Sequence, residues 1–305
     1  MILGIDASNI ISGGGLTHLI EILNEFKYHK INKIIIWSNN KTLNKLKNDK
    51  KIIKKNNILL NKNIFFRFFW QLFLSKHELR KNKCDLLFVP GGTYIGFFKP
   101  YVAMSQNMIP FQPEILTKYR FSSIYLKFIL LRIIQKKTFI NSYSNIFLTN
   151  NAKEIITKQI KNIKDKNYKY RIIPHGINKL FRLNLQKSIN IKNYNLDKTF
   201  NIIYVSKIDE YKNHLQVIDA VRKLKEKKYP IKLFLVGANY PKTIKNLINH
   251  LKIIKKHNEY IKILGEINYL NLPKIYNDCD LIIFASSCEN LPIILLEGMA
   301  TGLPI

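Results

Sequence analysis

Short runs of apolar residues alternate with helical stretches along nearly the whole chain. In the first half the predicted strands are Ile2–Asp6, Lys33–Trp37, Leu86–Val89, Val102–Ser105, Asn145–Thr149 and Arg171–Ile173. In the second half they are Phe200–Ser206, Lys232–Val236, Tyr260–Leu264 and Leu281–Ala285. Strands that alternate with helices are typical of parallel sheets covered by helices. The pattern therefore predicts an α/β protein.

One polar stretch rich in Asn and Lys interrupts this alternation. It follows Pro174-His175-Gly176 and extends to about Thr199, after which strands and helices resume. We read it as an interdomain connection over residues 176–199, between an N-terminal domain at 1–175 and a C-terminal domain at 200–305. A length of 305 residues suffices for two domains, and 47% hydrophobic residues can fill their cores. We predict two α/β domains in tandem, facing a cleft.

The chain is strongly basic, with 50 Lys and Arg against 20 Asp and Glu and a formal net charge of +30. Such an excess is typical of proteins that meet nucleic acid or anionic membranes. Here it is mostly lysine, is spread along the chain and accompanies heavy use of Ile and Asn, which an AT-rich coding sequence also produces. No nucleic-acid-binding motif accompanies it, and it forms no single basic stripe. Anionic lipid is thus favoured over specific nucleic acid as a partner.

The cysteine spacing and the hydropathy of the sequence predict the cellular compartment of the protein. The three cysteines, Cys84, Cys279 and Cys288, have spacings that match no zinc motif. The sequence opens with an apparent strand rather than a signal peptide, and no uncharged apolar run approaches the roughly 18 to 20 residues of a membrane helix. We expect reduced thiols and a cytoplasmic protein, soluble or peripheral at the inner face of the membrane.

The segment Ile64–Leu74 is unusually aromatic. One interpretation is a helix buried in the core. The other is an interfacial surface that meets anionic lipid, with basic residues close by in the sequence at Lys62, Arg67, Lys76, Arg80, Lys81 and Lys83. Such a surface would suit a lipid-linked acceptor.

Two glutamates provide the strongest chemical signal. The predicted strand Leu281–Ala285 runs into a loop with Glu289, and a predicted helix over Leu291–Thr301 carries Glu297, with seven residues between the two. Ligands of open α/β sheets bind outside the carboxyl ends of the strands. Free N–H groups at the helix start suit a phosphate, so Asn290 and Leu291 at that junction are also candidate ligand-binding residues.

The glutamate pair, preceded in order by Val205-Ser206-Lys207, Val236-Gly237 and Ile263-Leu264-Gly265, resembles the E-x7-E signature of retaining glycosyltransferases of family 4. The resemblance covers the second half well and the first half more loosely. In the first half, Ser105–Phe111 resembles a segment of O-antigen-type members, which implies the O-antigen or surface-polysaccharide type. It implies a GT-B fold with two Rossmann-like domains, acceptor side first and nucleotide-sugar side second. It also implies that Glu289 lies beside the donor sugar and that Glu297 binds the ribose hydroxyls.

Lys207 and Lys212 follow the first strand of the second domain, where the family has an Arg and a Lys with similar spacing. A departing nucleoside diphosphate requires positive charge, and a lysine supplies a point charge rather than a bidentate fork. No Asp-x-Asp cluster follows a strand. We therefore predict transfer without a metal or other cofactor. The resemblance implies a UDP- or GDP-sugar as donor and front-face attack by the acceptor, with the leaving phosphate as base.

The first half supplies weaker candidates. A loop of Gly13, Gly14 and Gly15, before a helix predicted to begin near Leu16, resembles the family's glycine loop, where the backbone approaches the donor diphosphate. Gln106 and Asn107 follow a predicted strand and are candidate sugar contacts. His175 stands where relatives often have Asn, and we expect a structural turn residue there.

Together these features predict a hexosyltransferase that acts on a saccharide or lipid-linked acceptor in surface polysaccharide or lipopolysaccharide assembly. A GT-B nucleotide-sugar epimerase and a non-catalytic basic nucleic-acid-binding protein are the alternatives. The sequence ends at Ile305, where members of the family continue with a further strand and helices. The resemblance thus implies an incomplete second domain, in a fragment of a longer protein or a truncated gene product.

Overall fold

A computed structural model describes residues 1–160, 168–185, 190–238, 241–254 and 257–305. The chain divides into two compact units, Met1–His175 and Gly176–Ile305. Residues 186–189 of the predicted connection lie outside the described residues.

Unit 1 is built on a parallel seven-stranded sheet in the order β3-β2-β1-β4-β5-β6-β7. Its strands are β1 (Ile2–Asp6), β2 (Lys33–Trp37), β3 (Ile52–Lys55), β4 (Leu86–Val89), β5 (Tyr101–Ser105), β6 (Ser144–Phe147) and β7 (Tyr170–Ile172). Its helices are α1 (Gly14–Asn24), α2 (Asn40–Leu43), α3 (Ile64–Phe69), α4 (Ser75–Lys81), α5 (Pro113–Thr117), α6 (Ser123–Asn141) and α7 (Asn150–Lys158). A π-helical turn at Trp70–Leu74 joins α3 to α4.

The central strands of unit 1 have the composition of a doubly covered parallel sheet. In β2 the run Ile34-Ile35-Ile36-Trp37 is buried throughout, as expected where helices cover both faces. At the end of β1 the carboxylate of Asp6 is buried and accepts hydrogen bonds from Ser8 N at 2.9 Å and Gln71 Nε2 at 2.7 Å. Burial raises the pKa of Asp6. These bonds attach the π-helical turn to the carboxyl end of β1.

Unit 2 has a parallel four-stranded sheet in the order β10-β9-β8-β11. The strands are β8 (Phe200–Val205), β9 (Ile231–Val236), β10 (Ile261–Gly265) and β11 (Leu281–Ile282). The helices are α8 (His214–Glu226), α9 (Pro241–Ile253), α10 (His257–Tyr260), α11 (Leu272–Asn277) and α12 (Ile293–Thr301). Phe181, from the predicted connection, is fully buried in a cluster with Tyr276 and Ile282. The chain just after Gly176 therefore contributes to the core of unit 2.

Several predicted boundaries are corrected by local interactions. The predicted strand Leu281–Ala285 pairs as a strand only at Leu281–Ile282, and at its predicted end Ala285 O accepts a hydrogen bond from the Asn213 side chain. Helix α12 begins at Ile293 rather than Leu291, because Pro292 is its N-cap. The sequence analysis missed β3, whose segment has only two apolar residues and lies at the sheet edge.

The core interpretation of the segment Ile64–Leu74 is wrong for most of its aromatic residues. Trp70 is buried, but Phe65, Phe66, Phe69 and Phe73 are exposed. The helix thus packs through one narrow face and leaves an apolar face in solvent.

Candidate active site

The loop between β8 and α8 fixes the backbone of Lys212. A single 3₁₀ turn, Glu210–Lys212, is capped by Asp209, whose side chain accepts from Glu210 N. Asn213 then adopts a left-handed conformation with φ 54°, which Asn tolerates better than most residues, and turns the chain into α8. The buried Tyr204 hydroxyl donates to Lys212 O at 2.6 Å. The capped turn and the hydrogen bond from Tyr204 therefore both fix the backbone of Lys212.

The side chain of Lys212 forms an ion pair with Glu289. Lys212 is only 6% exposed, and a buried ammonium group is costly unless an anion pairs with it. Its Nζ atom also lies 5.0 Å from the ring centre of Tyr211 and 6.0 Å from that of Phe284. The structure thus brings together a predicted phosphate-binding cation and the predicted sugar-side carboxylate.

Lys207 lies beside the same aromatic ring. Its Nζ atom is 5.2 Å from the ring centre of Tyr211 and 3.2 Å from Asp209 Oδ2. The side chain is 38% exposed, so water screens this ion pair and it stabilises the fold little. Lys207 can therefore exchange Asp209 for another anion at small cost.

The loop that carries Glu289 is attached to the lysine loop through its backbone. Ser287 N and Oγ both donate to Tyr211 O, at 2.9 and 3.0 Å, and Asn213 Nδ2 donates to Ala285 O at 2.6 Å. Sequence reasoning missed Tyr211 and Asn213 as site residues. Asn213 could have been found as an Asn just before a helical pattern, whereas Tyr211 acts through its carbonyl and ring and gives no such signal.

Asn290 and Leu291 lie between Glu289 and α12 and are partly buried. The structure places them in the loop before the helix, not in its first turn. Their assignment as donor-binding residues stays a prediction.

Glu297 belongs to a second set of contacts. It lies on α12, is 1% exposed, and accepts a hydrogen bond at Oε1 from the Tyr269 hydroxyl at 2.7 Å. The Tyr269 ring packs against Phe181 at 5.4 Å between centres. Burial, with the charge of Glu297, raises the pKa of the Tyr276 hydroxyl. The role of Glu297 towards a ribose stays a prediction, and Tyr269 is a partner that the sequence did not indicate.

The predicted glycine loop of unit 1 is shorter than expected. Helix α1 begins at Gly14, because Leu16 N and Thr17 N already donate to Gly13 O, and Gly13 has φ 70°. Gly14 and Gly15 therefore form its first turn. A Cβ atom on Gly15 would lie 3.1 Å from Gln106 Oε1, so the predicted sugar-contact residue Gln106 touches this turn.

The other two candidates of unit 1 have local partners. Asn107 accepts at Oδ1 from Ile109 N at 3.1 Å. His175 lies with its Nδ1 atom 3.1 Å from Nδ1 of His18. Burial lowers the pKa of both imidazoles to about 4. Both rings are therefore neutral at pH 7, and one donates to the other.

Metal-binding clusters and membrane-spanning helices are both absent from the part of the chain that the structure describes. Within it, no group of three or more His, Cys, Asp or Glu side chains could hold a metal ion. Within the same residues, no helix combines the length and apolar character required to cross a bilayer. Transfer without a metal stays a prediction.

Comparison with known proteins identifies the domain that carries this geometry. Residues 186–305 match the family model described as glycosyl transferases group 1. This segment of unit 2, about two fifths of the chain, is thus similar to that family. No curated protein sequence matches the chain. The prediction of a glycosyltransferase is confirmed as far as this family match extends.

Solved structures show the fold of the whole chain. Sucrose-phosphate synthase from Thermosynechococcus elongatus is 14% identical with a TM-score of 0.75, over 100% of this chain and 80% of that one. The lipopolysaccharide-biosynthesis glycosyltransferase WaaG is 16% identical with a TM-score of 0.65, over 100% and 80%. Anabaena Alr3699/HepE in complex with UDP is 15% identical with a TM-score of 0.62, over 99% and 79%. The predicted GT-B fold is confirmed.

In unit 2, buried His214 makes stability depend on pH. Its ring stacks on Tyr204 at 4.7 Å, and burial, followed by the charge of Lys212, lowers its pKa to about 4. The unfolded chain takes up a proton near pH 6.5 and the folded chain does not, so stability falls as pH falls from 6.5 towards 4. We expect a loss of about 2 kcal/mol from this group between pH 7.5 and 5.

Urea unfolding followed by circular dichroism at both pH values measures this loss. In His214→Gln the loss should be smaller than in the wild type by that amount. Equal losses in the two proteins would contradict the assignment to His214.

Proposed function

We propose that the chain is a retaining glycosyltransferase of family 4, of the O-antigen type, that transfers a hexose from a UDP- or GDP-sugar. The observation that carries the proposal is the ion pair between buried Lys212 and partly buried Glu289, at the carboxyl ends of β8 and β11 inside the matched segment. A cation held out of water beside a carboxylate suits a ligand that has both a diphosphate and a polar sugar.

The proposed donor is a nucleotide sugar with no further cofactor. Alr3699/HepE is known in complex with UDP and with UDP-glucose, which supports a similar donor here. Lys207 and Lys212 flank Tyr211 and would neutralise the diphosphate as its bond to the sugar breaks. Glu289 would accept hydrogen bonds from the sugar hydroxyls, and Glu297, with Tyr269 holding its carboxylate, would bind the ribose.

In the proposed reaction the acceptor hydroxyl attacks the anomeric carbon on the face from which the diphosphate departs. The bond from that carbon to the phosphate oxygen breaks, the new glycosidic bond forms, and a leaving phosphate oxygen takes the hydroxyl proton. No enzymic nucleophile is required. The configuration at the anomeric carbon is retained because attack and departure share one face.

The proposed acceptor is a saccharide, free or lipid-linked, in surface polysaccharide or lipopolysaccharide assembly at the inner face of the membrane. The similarity to WaaG, a glycosyltransferase involved in lipopolysaccharide biosynthesis, supports this choice. The exposed aromatic residues of α3 support a lipid-linked form.

The donor proposal is tested by a thermal-shift titration with UDP, GDP and their sugars. We expect one nucleotide family to raise the Tm of the wild type. At a ligand concentration one hundred times Kd, binding should add about 2.7 kcal/mol to the free energy of unfolding. Lys212→Ala and Glu297→Ala should lose the shift. Lys223→Ala, which removes an exposed lysine of α8, is the matched control and should keep it. A wild-type chain that is folded but shifts with neither nucleotide would refute donor binding.

A further inference from the structure

Helix α3 and the π-helical turn after it present a row of phenylalanine rings to solvent. Phe65, Phe69 and Phe73 are spaced four residues apart, so they share one helix face, and Phe65 is 77% exposed. Phe69 and Phe73 lie against each other with ring centres 4.6 Å apart. The opposite side is anchored by Trp70 and Gln71, which are fully buried. The exposed face is therefore a stable part of the fold and not a frayed end.

Helix α6 presents a second apolar row. Leu126, Leu130 and Ile133 have the spacing of one helix face, and all three are exposed. Phe121, just before the helix, is 96% exposed, with the Arg120 guanidinium 5.4 Å from its ring centre. Single exposed apolar residues are ordinary, but rows of them on a helix face mark interaction surfaces.

One loop of unit 1 joins the two helices. Gln71 Nε2 donates to Thr93 O at 3.2 Å, while Thr138 Oγ1 of α6 donates to Tyr94 O at 2.9 Å. The same loop carries Phe97, which is exposed. The two rows thus flank neighbouring residues of a single loop. We call the two rows together with Phe121 and Phe97 the docking face.

The two sequence stretches that carry the helix rows contain basic residues but no acidic ones. No Asp or Glu occurs between Asp49 and Glu78, nor between Glu114 and Glu154. Those two stretches contain both helix rows. Exposed lysines lie beside the rows: Lys62 Nζ is 4.7 Å from the Phe66 ring centre, and Lys127 is exposed on α6. Protein interfaces are depleted in lysine at their core. Aromatic and aliphatic side chains interleaved with cations alone are typical of surfaces that bind anionic lipid.

We propose that unit 1 binds anionic bilayers through the docking face, with its apolar side chains inserted at the headgroup boundary and its lysines against the lipid phosphates. This inference deepens the proposed function by naming the surface through which an enzyme with a lipid-linked acceptor would meet the membrane. It rests on unit 1 alone, whereas donor binding is measured on residues of unit 2. The two proposals can therefore fail separately.

Vesicle flotation of the full chain tests the inference. We expect the chain to float with vesicles of phosphatidylglycerol and phosphatidylcholine, to bind pure phosphatidylcholine about tenfold more weakly, and to be released by 0.5 M NaCl. Two variants, Phe65→Ser/Phe69→Ser/Phe73→Ser and Leu126→Ser/Leu130→Ser/Ile133→Ser, should each bind anionic vesicles about tenfold more weakly. The matched control, Leu224→Ser/Ile253→Ser/Leu270→Ser, removes exposed apolar residues from unit 2 and should bind as the wild type does.

Because every substituted side chain is exposed, the variants should keep the wild-type Tm, which is measured alongside. Wild-type protein that stays unbound with anionic vesicles, or variants that float like the wild type, would overturn the proposal. If the wild type bound neutral and anionic vesicles equally, the claim that the lysines contact lipid phosphates would be wrong. A dimer seen by light scattering that both variants abolish, without any vesicle binding, would assign the docking face to a second copy of the chain and overturn the lipid assignment.

Discussion

Replacing Glu289 with Gln should separate donor binding from sugar transfer. Glu289 pairs with Lys212, so a donor diphosphate must compete with this carboxylate for the ammonium group. Gln keeps the shape but removes the charge, and nucleoside diphosphate should bind about fivefold more tightly, which corresponds to about 1 kcal/mol. Transfer should nevertheless fall by about 10²- to 10³-fold, because the sugar loses its charged partner in the transition state.

Isothermal titration with UDP and GDP gives the first quantity, and single-turnover consumption of the nucleotide sugar gives the second. Glu226→Gln is the matched control, since Glu226 also pairs with a cation, Arg222, but on the exposed surface of α8. It should change neither quantity. If Glu289→Gln weakened nucleotide binding as much as it slowed transfer, the carboxylate would be holding Lys212 in place and not competing for it.

The fold was largely predictable because its strands are buried apolar runs with polar boundaries. The predicted bounds of β1, β2 and β4 agree with the structure, and β8 and β9 differ by one residue. Prediction failed where the pattern was weak or other bonds intervened. In β3 only two apolar residues signal a strand, and beyond β11 the carbonyl of Ala285 bonds to the side chain of Asn213.

The sequence predicted which residues belong to the candidate site, but not which side chains they contact. Lys212 and Glu289 were each indicated by position after a strand, yet they are 77 residues apart and their ion pair depends on how the strands order in the sheet. The same limit applies to Tyr269, which meets Glu297 from a different loop, and to His18, which meets His175. Such contacts follow from tertiary packing, and neither residue type nor sequence spacing predicts them.

Replacing Gly237 with Ala should damage both the fold and the donor site. Gly237 follows β9 with φ 151°, a conformation that residues with a Cβ atom rarely adopt. A Cβ atom there would lie 2.1 Å from Ser206 O and 2.9 Å from Lys207 N, and these are backbone atoms that cannot rotate away. The combined strain and overpacking should lower the free energy of unfolding of unit 2 by about 3 kcal/mol.

The same change should weaken nucleotide binding, because relief of the clash must move the loop that carries Lys207. Ser206 N donates to Val236 O at 2.7 Å and Ile208 N to Ala238 O at 3.1 Å, so moving this loop also breaks its hydrogen bonds to the end of β9. Hydrogen exchange by mass spectrometry should detect lost protection in β8 and β9, while the peptides of unit 1 stay protected. Gly176→Ala is the control, since a Cβ atom there meets nothing within 4 Å. Equal protection of β8 and β9 in the two variants would mean that the lysine loop has room to adjust, and that close approach at Gly237 is not what positions Lys207.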